Sequence, residues 1–247
     1  FSPAELRELL RRVKAASQKF VTNFFVPPAD WPAWIERGLR PVLTDENILI
    51  LAWPEERCIR FFFGGDRASV APAAGRAGGL ESKPVTVDLV GRASELEGLA
   101  AEFATAGYRR HLRLSRLSCT RPAEPAGTQP VVSECQAAEP GDIPSLLGLL
   151  CEHFDAYADR LPSPVAIEDG LAAAEIRVIR LRGRLQGFLW YNKTGMTGLI
   201  RYWCVAPDAR GQGVGSQLMR DYFARTSDCP RHLLWVRENN PKAAACY

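Results

Sequence analysis

Between positions 205 and 215 the chain reads Val-Ala-Pro-Asp-Ala-Arg-Gly-Gln-Gly-Val-Gly, and ends that run with Arg210, Gly211, Gln212, Gly213, Val214 and Gly215. The pattern predicts a strand that ends here and an amphipathic helix over 211–225, because Val214, Leu218, Tyr222 and the pair Met219 and Phe223 recur at helical spacing. Glycines let a backbone come close to a ligand. The free N–H groups of a helix start point at an anion in the favourable field of the helix dipole. Such a turn suits a pyrophosphate. Two other phosphate loops are excluded: a dinucleotide fingerprint needs Gly at 216, where Ser stands, and a P-loop needs Gly-Lys-Ser/Thr, which is absent.

A second feature follows one predicted strand later, as Asn240-x-x-Ala243-x-x-x-Tyr247. With both features the chain resembles the GCN5-related N-acetyltransferase (GNAT) family. That family's acetyl-coenzyme A motif is Arg/Gln-x-x-Gly-x-Gly/Ala, matched by Arg210, Gly213 and Gly215, and is followed by a strand and an Asn-x-x-Ala-x-x-x-Tyr helix. The resemblance covers roughly half the chain. It implies a splayed mixed α/β sheet flanked by helices, with the pantetheine arm of acetyl-CoA in the gap between the strand ending near Val205 and the strand at 232–236. It also implies main-chain contacts from Cys204 and Val205 to the pantetheine, and a grip on the pyrophosphate from residues 210–215. An amine attacking a thioester needs a free lone pair, a fixed donor for the tetrahedral oxygen and a proton for the departing thiolate. A phenol pKa of about 10 against about 8.5 for a thiol lets Tyr247 serve as that acid. A core aromatic on an amphipathic helix is the competing reading of Tyr247.

The chain departs from the family in one respect that matters for chemistry. Many relatives carry a glutamate on the strand before the last helix, but here Leu234-Trp235-Val236-Arg237 places Trp at the corresponding position. The base is therefore unassigned, with Glu238, Glu152, His153 and Glu175 as candidates that read equally well as solvated surface groups. Tyr191, Arg201, Tyr202 and Trp203 are candidates for an acceptor pocket, although strand alternation turns about half of them into the core. Cys204 has no His or Asp partner at an interpretable spacing, and a buried cysteine is usually inert.

The elements that position these residues read as strand 131–137, a helix begun by Asp142, strands 175–181, 185–191 and 197–205, the helix 211–225, strand 232–236, and a helix start at 240–247. This order implies a mixed sheet covered by helices. Three prolines and a glycine in 119–130 make 121–130 the expected linker between a first half, 1–120, and an acetyl-CoA-binding domain, 131–247. The first half reads as a helix over 3–20, a hairpin of strands 48–53 and 58–63, a loose loop over 64–79, strand 84–90, a helix from Ser94 to about 106, and strand 111–117. Its end resembles the back end of the same fold but lacks Arg-x-x-Gly-x-Gly, so it reads either as a degenerate tandem copy or as an unrelated α+β domain. The family continues past the tyrosine with two more strands, so a trimmed C-terminus is expected.

Composition bounds the rest. The chain has 247 residues, of which 47% are hydrophobic and 24% charged, enough to bury a core in each half. A net charge of +3 advertises neither a nucleic-acid nor a membrane surface. The seven scattered cysteines lack a C-x-x-C pair, so no zinc site is signalled and a reducing cytoplasm is expected. No apolar run approaches the roughly 20 residues of a membrane span. The expected activity is acyl transfer from acetyl-CoA to a primary amine of a small molecule or peptide by direct attack, with no metal. Two rivals are a tandem transferase acting on an amino-sugar conjugate or using aminoacyl-tRNA, and a non-catalytic module holding CoA or a peptide.

Overall fold

The computed structural model describes residues 1–120 and 135–240. The chain divides into two compact units, Phe1–His111 and Leu112–Tyr247. The expected linker, 121–130, lies outside the described residues.

The first unit opens with helix α1 (Pro3–Ala16), which starts where it does because Ser2 and Glu5 form a capping box. Strand β1 (Phe20–Thr22), helix α2 (Trp31–Glu36) and strands β2 (Arg40–Thr44), β3 (Ile48–Pro54) and β4 (Ile59–Asp66) follow. Helix α3 (Arg67–Gly78), strand β5 (Val85–Val87) and helix α4 (Ala93–Thr105) complete it. The sheet order is β1-β4-β3-β2, and β5 runs parallel to β4. One face of the sheet packs Ile50, Phe61 and Phe63 on α3 and α4, and the other packs Leu49, Leu51 and Phe62 on α1 and α2.

The stretch 64–79, expected as a loop, is largely helix α3. Asp66 caps it through the Ala68 amide, and Ala71, Ala73, Ala74 and Ala77 are buried along it. Alanine has the best helix propensity, and the small side chains let the helix lie close to its neighbours; a Cβ on Gly75 would come 2.7 Å from the Ala106 carbonyl oxygen. Helix α4 starts one residue ahead of Ser94, and Arg92, its N-cap, makes no side-chain cap.

The second unit contains strands β6 (Leu114–Thr120) and β7 (Gln136–Ala137), helices α5 (Ile143–His153) and α6 (Pro164–Ala172), and strands β8 (Ile176–Leu181), β9 (Arg184–Thr194) and β10 (Thr197–Val205). Helix α7 (Val214–Arg225) and strand β11 (Arg231–Arg237) follow. The sheet order is β6-β11-β10-β9-β8-β7, with β10 and β11 parallel and the other pairs antiparallel. A mixed sheet flanked by helices is thus the architecture expected from the sequence. Helix α6 is an addition to that expectation; its signals are Ser163, which caps the Ala166 amide, and Pro164 in the first turn.

Strand β6 is a finding about boundaries. The sequence assigned 111–117 to the first half, but Leu114–Thr120 pair antiparallel with Arg231–Arg237 along the whole of β11. The division between units therefore falls at 111/112, ahead of the expected linker.

The two sheets share a plan. In each, three antiparallel strands (β2-β3-β4 and β8-β9-β10) lead into a helix and then a strand parallel to the third. They differ beside that parallel pair. In the first unit, β4 pairs with β5 over Ile59–Phe61 and with β1 over Gly64–Asp66. Between these stretches the buried Asn23 side chain donates to the carbonyls of Phe61 (3.2 Å) and Asp88 (3.0 Å) and accepts from the Phe63 amide (2.6 Å). In the second unit the corresponding space has no such filling among the described residues.

Candidate active site

Strands β10 and β11 pair only over Thr197–Ile200 and Arg231–Leu234. Beyond Ile200 a bulge interrupts the register of β10 with β9, which resumes at Tyr202. A bulge bends its strand and increases the local twist, and here the bend coincides with the point at which β10 leaves β11. Residues 201–205 thus keep β9 on one side and an open edge on the other.

The bulge also sorts side chains. Tyr202 and Cys204 are buried with Phe188 and Trp190 under α5 and α6, whereas Ile200, Trp203 and Val205 face α7. The Tyr202 hydroxyl reaches the carbonyls of Arg160 (2.6 Å) and Asp159 (3.1 Å), and burial pushes its pKa up to about 12. Burial likewise raises the Cys204 thiol to about 11, which keeps it protonated and removes it as a nucleophile. Tyr191 packs edge-on against Tyr222 at 5.3 Å between ring centres. Of the four side chains considered for an acceptor pocket, only Arg201 is exposed.

The turn after β10 is built by local geometry. A 3-10 turn at Pro207–Ala209 leads to Arg210, whose Nε donates to the Val205 carbonyl (3.2 Å), while the Gln212 side-chain amide donates to the Asp208 carbonyl (2.8 Å). Gly211 and Gly213 take φ of 77° and 79°, the left-handed region that glycine alone enters without strain. Helix α7 therefore begins at Val214 rather than Gly211, with Gly213 as its N-cap. Packing at Gly215 is tight: a Cβ there would lie 3.1 Å from Cζ2 of Trp203. No protein acceptor among the described residues takes the amides of Val214, Gly215 or Ser216, the orphan donors of a helix start.

These amides border a cavity of about 970 Å³. Trp203, Val205 and the turn from Ala209 to Ser216 line one end, and Tyr222, His232 and Cys119 line the other. Glycine at the rim, unpaired amides and a helix N-terminus form a cradle that fits a diphosphate.

Of the remaining predicted site residues, Asn240 is exposed and its amide donates to the Arg237 carbonyl (3.0 Å), while Tyr247 lies outside the described residues. The candidate bases are engaged elsewhere or exposed. Glu238 pairs with Arg113 at 3.1 Å, Glu175 accepts from the Asn192 side chain, and the exposed Glu152 is 3.7 Å from Nε2 of His153. Among the described residues no group of three His, Cys, Asp or Glu could hold a metal ion, and no helix is long and apolar enough to cross a membrane.

Residues 146–247 match the model of the acetyltransferase (GNAT) family. This part of the chain is similar to the N-acetyltransferases of that family. A GCN5-related N-acetyltransferase from Sphaerobacter thermophilus has the same fold over 96% of this chain and 85% of its own, at 16% identity and a TM-score of 0.63. A GNAT-family acetyltransferase from Colwellia psychrerythraea matches over 99% and 91%, at 10% identity and a TM-score of 0.54. Both likenesses extend through the first unit as well as the matched stretch. N-acetylglutamate synthase from Neisseria gonorrhoeae, solved with coenzyme A and N-acetyl-glutamate, matches 40% of this chain at 19% identity and a TM-score of 0.35. The chain spans 23% of that synthase. No curated protein matches the chain.

Proposed function

We propose that the chain is an acyl-CoA-dependent N-acyltransferase that moves acetyl, in the simplest case, from acetyl-CoA to a primary amine within a ternary complex. The observation that carries this reading is the turn Arg210–Gly215 at the start of α7, where unpaired amides face a cavity beside the splayed end of β10. Acetyl-CoA supplies the activated acyl group. Arg210, Gly211, Gln212, Gly213, Val214 and Gly215 hold its pyrophosphate, and the open main-chain edge at Cys204 and Val205 aligns the pantetheine. Asn240 contributes a further cofactor contact, and Tyr247 is the acid for the sulfur.

In the transfer step the amine nitrogen bonds to the thioester carbon as the carbon–sulfur bond breaks. Tyr247 gives its phenolic proton to the departing thiolate and regains one from the new amide nitrogen through solvent. With the candidate carboxylates engaged elsewhere or exposed, the amine loses its first proton before it binds. The acceptor is a small molecule or peptide, and the unpaired state of all six described cysteines supports action in a reducing cytoplasm.

The first unit is, in this reading, a copy of the fold that no longer binds cofactor. Asn23 and β1 fill the space beside β4, and the Asp66 carboxylate at the start of α3 accepts from the amides of Ala68, Gln18 and Lys19. A carboxylate at that helix start repels the anion that the turn before α7 attracts.

Acetyl-CoA should raise the melting temperature at concentrations well above its Kd, and free thiol should appear in the presence of an amine. Tyr247→Phe should slow turnover with nearly unchanged cofactor affinity. No thermal shift with acetyl-CoA would overturn the reading, and an unchanged rate in the variant would remove Tyr247 from it.

A further inference from the structure

We propose that Arg201 selects the acceptor by binding a carboxylate close to the reacting amine, so that the substrates are amino acids or similar amino carboxylates; this deepens the function proposed above and rests on it.

Arg201 sits in the bulge of β10, one residue past Ile200, where pairing with β11 ends. Its guanidinium carbon lies 4.7 Å from the ring centre of Trp190 and 5.7 Å from that of Tyr202. Both rings are buried on the α5 and α6 side of the sheet, with 2% and 4% exposure. The cavity beside α7 lies against the other face of β10, lined there by Ile200, Trp203 and Val205. A ligand held by Arg201 would therefore approach the splay from the side opposite the cofactor turn, as a second substrate must.

The guanidinium is exposed, and no carboxylate among the described residues forms an ion pair with it. The nearby Asp159 is committed to Arg237 and, through the same carboxylate, to the Asp155 amide. One guanidinium N–H is shared with the Tyr202 hydroxyl, and the rest of the planar fork, held over two fixed rings, suits two-point binding of an oxyanion. Carboxylate and phosphate share that chemistry. One guanidinium balances one negative charge, whereas a phosphate monoester carries about −1.5 to −2 near pH 7, so the carboxylate fits better. Arg201 follows Ile200, the last residue of β10 paired with β11, so a carboxylate bound there belongs to an acceptor whose amine is a short distance away along the same strand end.

The test measures thiol release from acetyl-CoA with L-alanine, L-glutamate, L-lysine and β-alanine, each against its carboxamide, and with O-phosphoethanolamine. The wild type is compared with Arg201→Gln and Arg201→Lys. The acids should exceed their amides in kcat/KM by about tenfold to a hundredfold, the worth of a charge-assisted contact. Arg201→Gln should remove that preference through KM for the acids and leave the amides unchanged, and Arg201→Lys should keep part of it. Acetyl-CoA affinity should stay constant throughout. An equal loss for acids and amides, an unchanged ratio, or a preference for O-phosphoethanolamine overturns the proposal. So does a wild type that binds acetyl-CoA but acetylates none of the acids. A wild type that fails to bind acetyl-CoA instead sinks the underlying transferase reading.

Discussion

The Tyr222 hydroxyl stands 2.9 Å from Nδ1 of His232, and the backbone of Gly198 passes directly against both. A Cβ at 198 would fall 2.4 Å from that hydroxyl and 3.1 Å from the ring nitrogen. Gly198→Ala must therefore break the pair or push α7 from the sheet, at a cost of about 1–3 kcal/mol for an overpacked core. The urea midpoint of the variant should fall accordingly. Adding Tyr222→Phe removes the clashing oxygen and should recover part of the loss. A midpoint equal to that of the wild type would show that the strand and helix are not held this closely.

The same histidine gives the domain a pH dependence. Burial is the main cause that lowers the His232 pKa below its ordinary value, partly offset by a hydrogen bond with the Cys229 backbone. As pH falls, the unfolded chain takes up this proton first, near about pH 6.5. The stabilisation from the neutral ring is thus complete above that value and is lost as pH drops toward the folded pKa. Urea unfolding at pH 7.5 and 5.5 should show a smaller acid-induced loss for His232→Gln than for the wild type. Identical losses would place the acid sensitivity in other groups, such as the Asp66 and Asp228 carboxylates, whose pKa values hydrogen bonding lowers.

The turn before α7 makes a sharper prediction. Gly213 holds φ at 79° as the N-cap of α7, and an alanine there costs about 1–2 kcal/mol of left-handed strain. If the turn relaxes to relieve it, the amides of Val214 and Gly215 no longer converge. Gly213→Ala should weaken CoA binding by about tenfold for each 1.4 kcal/mol of lost interaction, read by calorimetric titration, while far-UV circular dichroism stays unchanged. Undiminished affinity would mean that these amides do not hold the diphosphate.

What the sequence made legible was local. The spacing of Arg210, Gly213 and Gly215 and the apolar repeat of Val214, Leu218 and Tyr222 are contained within one turn and one helix, and the pattern found both, missing only the helix start by three residues. Strand-like runs on either side of the turn Arg182-Gly183-Arg184 revealed β8 and β9 for the same reason. Partners distant in the chain were hidden: nothing in Leu114–Thr120 announces pairing with Arg231–Arg237. The run of Ala and Gly in α3 lacks the apolar contrast that marks a helix, so its burial under Phe103 and beside the sheet could not be read. The bulge at Arg201 leaves no local mark, because only the register with β9 displays it.

Asn23 predicts the stoichiometry. Its three hydrogen bonds to Phe61, Asp88 and Phe63 close the space beside β4 that stays open beside β10. Opening it would leave those groups without partners at about 1–3 kcal/mol each, a cost that a second cofactor would have to offset next to the Asp66 carboxylate. Titration with CoA should saturate at one molecule per chain, and the turn variant Gly213→Ala should show a single weakened event with no residual site. Two binding events of comparable affinity would show that the first unit has kept a working cleft.

Strand β6 yields a prediction about where a stable second unit begins. Leu117 faces Leu234 across the ladder, and Arg116 lies over the ring of Trp235, whose side of β11 is otherwise half exposed. Without 114–120, the run His232-Leu-Leu-Trp-Val236 would become an apolar edge with a row of unpaired backbone groups, the arrangement that recruits other chains. A polypeptide beginning at 121 should therefore aggregate, while one beginning at 112 should remain soluble at the same concentration, as judged by light scattering after gel filtration. Adding a peptide of sequence 112–120 should suppress aggregation of the shorter form. If both polypeptides behave alike, β6 is not what protects the edge of β11.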